Sequence, residues 1–282
     1  MSARTLSVSG LTLEAGPPAR PVRLVRDVSL SLERGRVLAL VGTSGGGKSL
    51  STLALLDLLP PGVRRVAGAV SLDGRVLDAA GQAALRGGTV GFVQQAPRGG
   101  FNPLVTLGRH FRETLACDGL RGRAAEARML ALLREVGFER PQALPALYPS
   151  QLSGGMLQRA MLALALCRDP DFLLADEPTT DLDLVVQAQL LDLLEGMVAR
   201  RGIGLLLVTH DLSVVARLAD EVAVMADGRV VEHRPVGAIF DAPRHPRTRA
   251  LLAVHLALYG EVWPPDTEPT SARIGAAMAP PA

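Results

Sequence analysis

Aromatic residues are scarce in this sequence, and neither sign of charge dominates it. Phe, Tyr and Trp together make up 3% of the 282 residues, and the formal net charge is +2. Surfaces that bind nucleic acids usually combine a basic stripe with stacking aromatics. Because the basic residues are scattered here among Asp and Glu, we expect no nucleic-acid partner.

Cysteines and long hydrophobic runs are also few. The two cysteines, Cys117 and Cys167, are too far apart to suggest a zinc site or a structural disulfide, which is typical of a reducing compartment. No apolar run approaches the roughly 18 residues that a membrane-spanning helix needs, and residues 1–10 lack the apolar core of a signal peptide. We therefore expect a soluble cytoplasmic chain. Such a chain can still dock on a membrane protein.

The apolar pattern predicts strands towards both ends of the chain and helices in its middle. Alternating segments at 6–13 and 24–32 are typical of half-buried strands, and Asp73-Gly74 marks a hairpin turn. From about residue 96 to residue 168 the periodicity is helical, and strands alternate with helices again from Phe172. This order predicts an α/β core interrupted by a helical insert.

We expect one domain over residues 1–260. The remaining segment, 261–282, is rich in Pro, Ala and Thr, and this composition predicts a disordered tail.

One segment matches the phosphate-binding loop G-x-x-x-x-G-K-[ST] of nucleotide triphosphatases. Glycines allow a tight turn whose backbone N–H groups face phosphate oxygens, while the lysine supplies a positive charge and the final hydroxyl can bind Mg²⁺. The segment lies between an apolar strand at 37–41 and a helix at 49–59, whose N-terminus adds roughly half a positive charge. Its residues are Gly42, Thr43, Ser44, Gly45, Gly46, Gly47, Lys48 and Ser49.

Two carboxylates follow the apolar strand at 172–175. Asp176, at the end of the strand, can hold Mg²⁺ directly or through water. Glu177 can act as the general base that orients and polarises an attacking water.

A second candidate anion site precedes that strand. Ser153 can cap an apolar helix, and Gly154 and Gly155 expose backbone N–H groups at its start. Since one nucleotide cannot plausibly occupy both anion sites, we expect the second to contact a nucleotide held by a partner.

Two further polar residues follow predicted core strands. His210 follows the strand at 203–208 and is placed to hydrogen-bond a γ-phosphate, because ligands bind at the carboxyl ends of such strands. Gln95 follows the strand at 90–93 and opens the helical insert, where its amide can reach Mg²⁺ and the attacking water.

Together these motifs resemble the ATP-binding subunits of ABC transporters, over about residues 6–260. The resemblance implies a P-loop NTPase (RecA-like) core with an antiparallel β subdomain and an inserted helical subdomain. It also implies a head-to-tail dimer in which ATP lies between the phosphate loop of one subunit and the 153–155 signature of the other. In the family's terms Asp183 belongs to the D-loop beside the nucleotide, Glu177 is the catalytic carboxylate, and His210 is the switch histidine.

Finer features are similar to the dipeptide, oligopeptide and nickel importer branch of this family. They are Asn102-Pro103, Gln158-Arg159 and His245-Pro246. Within the branch, the stretches at 175–183 and 255–260 are similar to nickel-import ATP-binding subunits.

The resemblance implies ATP and Mg²⁺ as the small molecules bound, with Ser49, Gln95 and Asp176 around the metal. It implies a second, related ATPase subunit, two membrane permeases and an extracytoplasmic substrate-binding protein, at the cytoplasmic face of the bacterial plasma membrane. Some relatives hold an iron–sulfur cluster on C-terminal cysteines; no cysteine follows Cys167, so we expect no cluster. No aromatic residue near Leu13 is available to stack on adenine.

The sequence lacks features that two other classes of ATPase would need. A DNA-repair ATPase would need a long coiled coil between the phosphate loop and the signature, and no sustained heptads occur there. A translation-factor ATPase usually carries two such cassettes, and this chain has one. An importer of dipeptides, oligopeptides or another metal chelate remains open, because the residues that select the substrate lie in other subunits. The histidines show no metal-ligand spacing, so the assignment of nickel rests on the resemblance alone.

Overall fold

A computed structural model describes residues 4–17 and 19–258, so the predicted tail at 261–282 lies outside the described residues. The strands are β1 (Thr5–Ala15), β2 (Val22–Glu33), β3 (Val37–Gly42), β4 (Val63–Leu72), β5 (Arg75–Val76), β6 (Val90–Val93), β7 (Phe172–Asp176), β8 (Gly204–Val208), β9 (Glu221–Ala226) and β10 (Arg229–Pro235). The α-helices are α1 (Lys48–Leu55), α2 (Ala79–Leu85), α3 (Pro97–Gly100), α4 (Leu107–Ala116), α5 (Gly122–Glu135), α6 (Gly154–Ala165), α7 (Leu184–Arg201), α8 (Leu212–Leu218), α9 (Val236–Asp241) and α10 (Pro246–Leu258).

The chain divides into two compact units. The first comprises the described residues up to Ala83 and those from Gly204 onward, and the second comprises Ala84–Ile203. The helical segment predicted at 96–168 lies within the second unit, and its boundaries stay a prediction.

An antiparallel sheet in the first unit has the strand order β2-β1-β4-β5. Leu6 on β1 lies opposite Leu32 on β2 and Leu72 on β4. The period-two alternation of the sequence buries one face of β1, with Leu6 and Val8 almost inaccessible to solvent. The predicted turn at Asp73-Gly74 joins β4 to β5, with both residues at positive φ (53° and 78°), as a tight hairpin turn requires.

Parallel strands form the other layer of the first unit. β3 pairs in parallel with β8 and with β9, and β10 pairs antiparallel with β9. Every residue of β3 is buried, which is why its sequence is a continuous apolar run rather than an alternating one. Because β3, β8 and β9 run the same way, the residues that follow them meet at one edge of the sheet.

The second unit combines a parallel strand pair with the helices α3 to α7. β6 pairs with β7, so that Val90 lies opposite Phe172. Gly91 allows α6 to approach β6 closely, because a Cβ at this position would lie 2.7 Å from the carbonyl oxygen of Ala165.

Ion pairs join α5 to the end of α7 in this unit. Arg201 Nε donates to Glu135 Oε1 at 2.7 Å, and a second guanidinium nitrogen donates to the other carboxylate oxygen. Arg201 also bonds Asp169 at 2.7 Å. These hydrogen bonds, that to Glu135 foremost, raise the pKa of the Arg201 guanidinium. The forked geometry orients both partners and fixes where α7 ends relative to α5.

The predicted strands and the main predicted helices are confirmed, although the helix after the phosphate loop ends at Leu55 rather than Leu59. The helices α2, α3, α9 and α10 were not predicted. Among the described residues no helix has both the length and the apolar composition to cross a bilayer.

Candidate functional site

The phosphate loop begins where β3 packs against β9. Gly42 has a φ of 146°, and a Cβ there would lie 2.1 Å from the carbonyl oxygen of Met225. Gly47, with a φ of 96°, would place a Cβ 3.0 Å from Val25 and 3.1 Å from the carbonyl oxygen of Leu24. Both glycines are therefore fixed by close packing and by a backbone conformation that L side chains rarely adopt.

Lys48, the only lysine in the sequence, lies inside this loop. Its side chain is buried, and Nζ donates to the carbonyl oxygens of Gly42 at 2.8 Å and Thr43 at 3.1 Å. Lys48 is also the first residue of α1, with Gly47 as its N-cap. An ammonium group and the N–H groups of a helix N-terminus thus come together, and this donor set fits the phosphates of a nucleotide.

His210 lies at the same sheet edge as the loop. Leu40 on β3 pairs with Val208 on β8. Gly42 lies two residues after Leu40, and His210 lies two residues after Val208, so both follow the same level of the parallel pair. The His210 side chain is exposed. The first unit therefore brings together the phosphate loop and the predicted γ-phosphate sensor.

Sequence reasoning missed the residues that shape the turn around His210. Asp211 caps α8, since its Oδ1 accepts from the backbone N–H of Ser213 at 2.9 Å. The backbone N–H of Asp211 in turn donates to Thr209 Oγ1 at 3.0 Å. The signal was available, because an Asp directly before an apolar helix is a common N-cap.

The two predicted acidic residues end β7 in the second unit. Asp176 and Glu177 are both buried. Glu177 has a φ of 48°, in the left-handed region that residues other than glycine rarely occupy. Thr180 Oγ1 donates to Glu177 Oε2 at 3.3 Å. A residue held in a strained conformation with its carboxylate oriented by a hydroxyl is typical of a functional site.

Gln95 lies at the same strand edge as Asp176, because Val93 on β6 pairs with Ala175 on β7. The Gln95 side chain is exposed. Farther along, Phe101 and Leu107 are buried, whereas Leu104 is 82% exposed. Leu104 is therefore the large apolar side chain of the segment 101–107 that a partner can reach.

The signature and the D-loop are neighbours in the second unit. Ser153 caps α6 as predicted, accepting from the backbone N–H of Met156 at 3.3 Å. Asp183 caps α7 in the same way, accepting from Val186 at 2.9 Å. A Cβ on Gly155 would lie 2.6 Å from Val186 Cγ1, whereas a Cβ on Gly154 would meet nothing within 4 Å. The first turns of α6 and α7 are thus packed together, and Gly154 faces open space.

The cysteines and histidines form no metal centre in the part of the chain that the structure describes. Burial raises the pKa of the Cys167 thiol to about 12, so the thiolate that binds metals is disfavoured there. His110 accepts from the backbone N–H of Asn102, and His233 pairs with Glu221 at 2.9 Å.

A model of the ABC transporter family matches residues 25–180. The chain belongs to the ABC transporter family. It is similar to the nickel import ATP-binding protein NikD of Rhodospirillum rubrum, with 56% identity over 255 residues, 90% of this chain and 96% of that protein. The protein of the same name from Brucella suis is 48% identical over 260 residues, 92% of this chain and 98% of that protein.

Solved structures of ATP-binding cassettes share the fold. The dimeric post-hydrolysis structure of the cassette MJ0796, bound to ADP and phosphate, matches with a TM-score of 0.73 and 25% identity, covering 82% of this chain and 98% of that one. The cbiO1 subunit of a Clostridium perfringens ABC transporter complex matches with a TM-score of 0.73 and 24% identity, covering 92% of this chain and 98% of that one.

The predicted fold class, a P-loop ATPase of the ABC type, is confirmed. The chain is an ATP-binding cassette whose ATP hydrolysis is coupled to transport, and it works with membrane permeases.

The two glycines of the signature differ in how closely their surroundings are packed. Gly155→Ala should lower the free energy of unfolding by about 1–3 kcal/mol, because the added methyl group overpacks against Val186. Gly154→Ala, at the neighbouring position, should leave stability unchanged or raise it by up to about 1 kcal/mol, since alanine reduces the entropy of the unfolded chain. Urea unfolding of the full-length chain measures both. Equal stability of the two variants would contradict the packing described for α6 and α7.

Proposed function

We propose that this chain is the ATP-hydrolysing subunit of an ABC importer for nickel ions or a nickel chelate. The observation that carries the proposal is the 48–56% identity to nickel import ATP-binding proteins over 90% or more of the chain. In this proposal ATP is the substrate of this chain, and nickel does not contact it. The residues that select nickel therefore lie in other subunits.

The proposed chemistry begins with binding of the ATP phosphates by the loop at 42–49. Lys48 moves its ammonium group from the carbonyl oxygens of Gly42 and Thr43 onto the β- and γ-phosphates, a short displacement within the same loop. Ser49, Gln95 and Asp176 supply the hydroxyl, amide and carboxylate oxygens that Mg²⁺ prefers. When bound with ATP, Mg²⁺ neutralises negative charge that builds up on the phosphates.

Hydrolysis is assigned to Glu177 and His210. Glu177 orients the attacking water and draws its proton, with its carboxylate held by Thr180. His210 donates a hydrogen bond to the γ-phosphate and stabilises the charge that develops on it. Ser153, Gly154, Gly155 and Asp183 contact the nucleotide bound by the partner ATPase, in a head-to-tail arrangement.

The full transporter that we propose contains a second, related ATPase, two permeases and an extracytoplasmic binding protein, with this chain peripheral on the cytoplasmic face of the plasma membrane. The closing and opening of the ATPase pair moves the helical insert. Leu104 is 82% exposed, and we expect this apolar side chain to push on a permease. No iron–sulfur cluster takes part.

Glu177 is the proposed general base for ATP hydrolysis. Glu177→Gln keeps the size of the side chain but removes its basicity, so steady-state ATP hydrolysis should fall by about 10²–10⁴-fold while ATP binding persists. The variant should accumulate as an ATP-bound dimer, detectable by light scattering and by retained nucleotide. Glu195→Gln, on an exposed position of α7, is the matched control and should hydrolyse ATP normally. Wild-type hydrolysis by Glu177→Gln would contradict the assignment.

The substrate is tested by uptake of radioactive nickel in cells that carry the whole operon. Uptake should require Lys48, so Lys48→Ala should abolish it, whereas Arg75→Ala, on exposed β5, should not. Excess dipeptide should leave nickel uptake unchanged. Lys48-dependent dipeptide accumulation without nickel uptake would keep the ATPase mechanism and replace nickel by peptides.

A further inference from the structure

A buried histidine on α10 contacts the turn that carries His210. His255 is buried, and its Nε2 lies 3.3 Å from Ser213 Oγ on α8, a residue that is only 2% exposed. Burial lowers the pKa of His255, while the nearby Asp211 partly opposes this shift. At neutral pH the imidazole is therefore neutral and shares a hydrogen bond with the serine hydroxyl.

From Ser213, hydrogen bonds continue to both sides of His210. The backbone N–H of Ser213 donates to Asp211 Oδ1 at 2.9 Å, and the N–H of Asp211 donates to Thr209 Oγ1 at 3.0 Å. Thr209 is fully buried, and its own N–H donates to the carbonyl oxygen of Leu40 on β3 at 3.3 Å. The flanking backbone is thus fixed by buried polar groups, while the His210 side chain stays exposed at the sheet edge.

We propose that His255 is a positioning residue for ATP hydrolysis, which holds Ser213 and, through the cap of α8, sets the place of His210. The inference rests on the role proposed above for His210. His255 touches neither nucleotide nor water in this scheme. Its contribution is geometric, because a small displacement of a group that stabilises the transition state has a large effect on rate.

If His255 had a purely structural role, any side chain that filled the same buried space would replace it. His255→Leu fills that space but cannot bond Ser213. His255→Gln can place an amide near the position of Nε2 and so restore the hydrogen bond. The two variants therefore separate packing from positioning.

The test is steady-state ATP hydrolysis by the full-length chain assembled with its transporter partners, at a temperature at which each variant is folded. His255→Leu should lower kcat about tenfold and leave KM for ATP unchanged, because binding depends on the phosphate loop. His255→Gln should recover most of the lost kcat. Leu252→Ala, a buried position one turn earlier on α10, should lower the melting temperature but not kcat.

Ser213→Ala removes the same hydrogen bond from the other side and keeps the test valid if His255→Leu does not accumulate. It should lower kcat to a similar extent, and the double variant should be no slower than either single one. Fully additive effects, or an unchanged kcat in His255→Leu and Ser213→Ala, would overturn the inference.

His210→Ala distinguishes failure of this inference from failure of the proposed function. If His210→Ala lowers kcat but His255→Leu does not, only the positioning role is wrong. If His210→Ala hydrolyses ATP at the wild-type rate, the sensor role of His210 fails, and the inference fails with it.

Discussion

The close approach of β3 to β9 at Gly42 is the constraint on which the candidate site depends. A Cβ at Gly42 would lie 2.1 Å from the carbonyl oxygen of Met225, so only glycine allows the strand to end there and turn into the loop. The turn brings the carbonyl oxygens of Gly42 and Thr43 around the Lys48 ammonium group. A positive charge is therefore already held in the loop, which reduces the reorganisation needed when phosphates bind.

The parallel pairing of β3 with β8 also fixes the turn that carries His210. Since Leu40 pairs with Val208, the turn that carries His210 is placed beside the phosphate loop by backbone pairing alone. The orientation of that turn is a separate matter, determined by the Thr209, Asp211 and Ser213 hydrogen bonds. His255 links this local network to α10, so a helix near the C-terminal end of the described chain contacts the network that flanks His210.

The sequence predicted features that depend on residue type and on the spacing of apolar residues. It missed features that depend on tertiary contacts. The strands at 6–13 and 24–32 and the cap at Ser153 are confirmed, since alternation and capping are local signals. The helix α10 was missed although Leu252, His255 and Leu256 are buried at helical spacing, because its Pro- and Arg-rich start resembles a loop. The positive φ of Glu177 had no signal at all, because that conformation is normally marked by glycine.

The most direct measurement of nucleotide binding at this loop uses the fact that Lys48 is the only lysine. An amine-reactive reagent can label only Lys48 and the N-terminal amine of the full-length chain, and mass spectrometry separates the two products. MgATP at about 100 times its Kd should slow labelling of Lys48 by about a hundredfold and leave the N-terminal amine unaffected. Labelling of Lys48 at the same rate with and without MgATP would contradict the account.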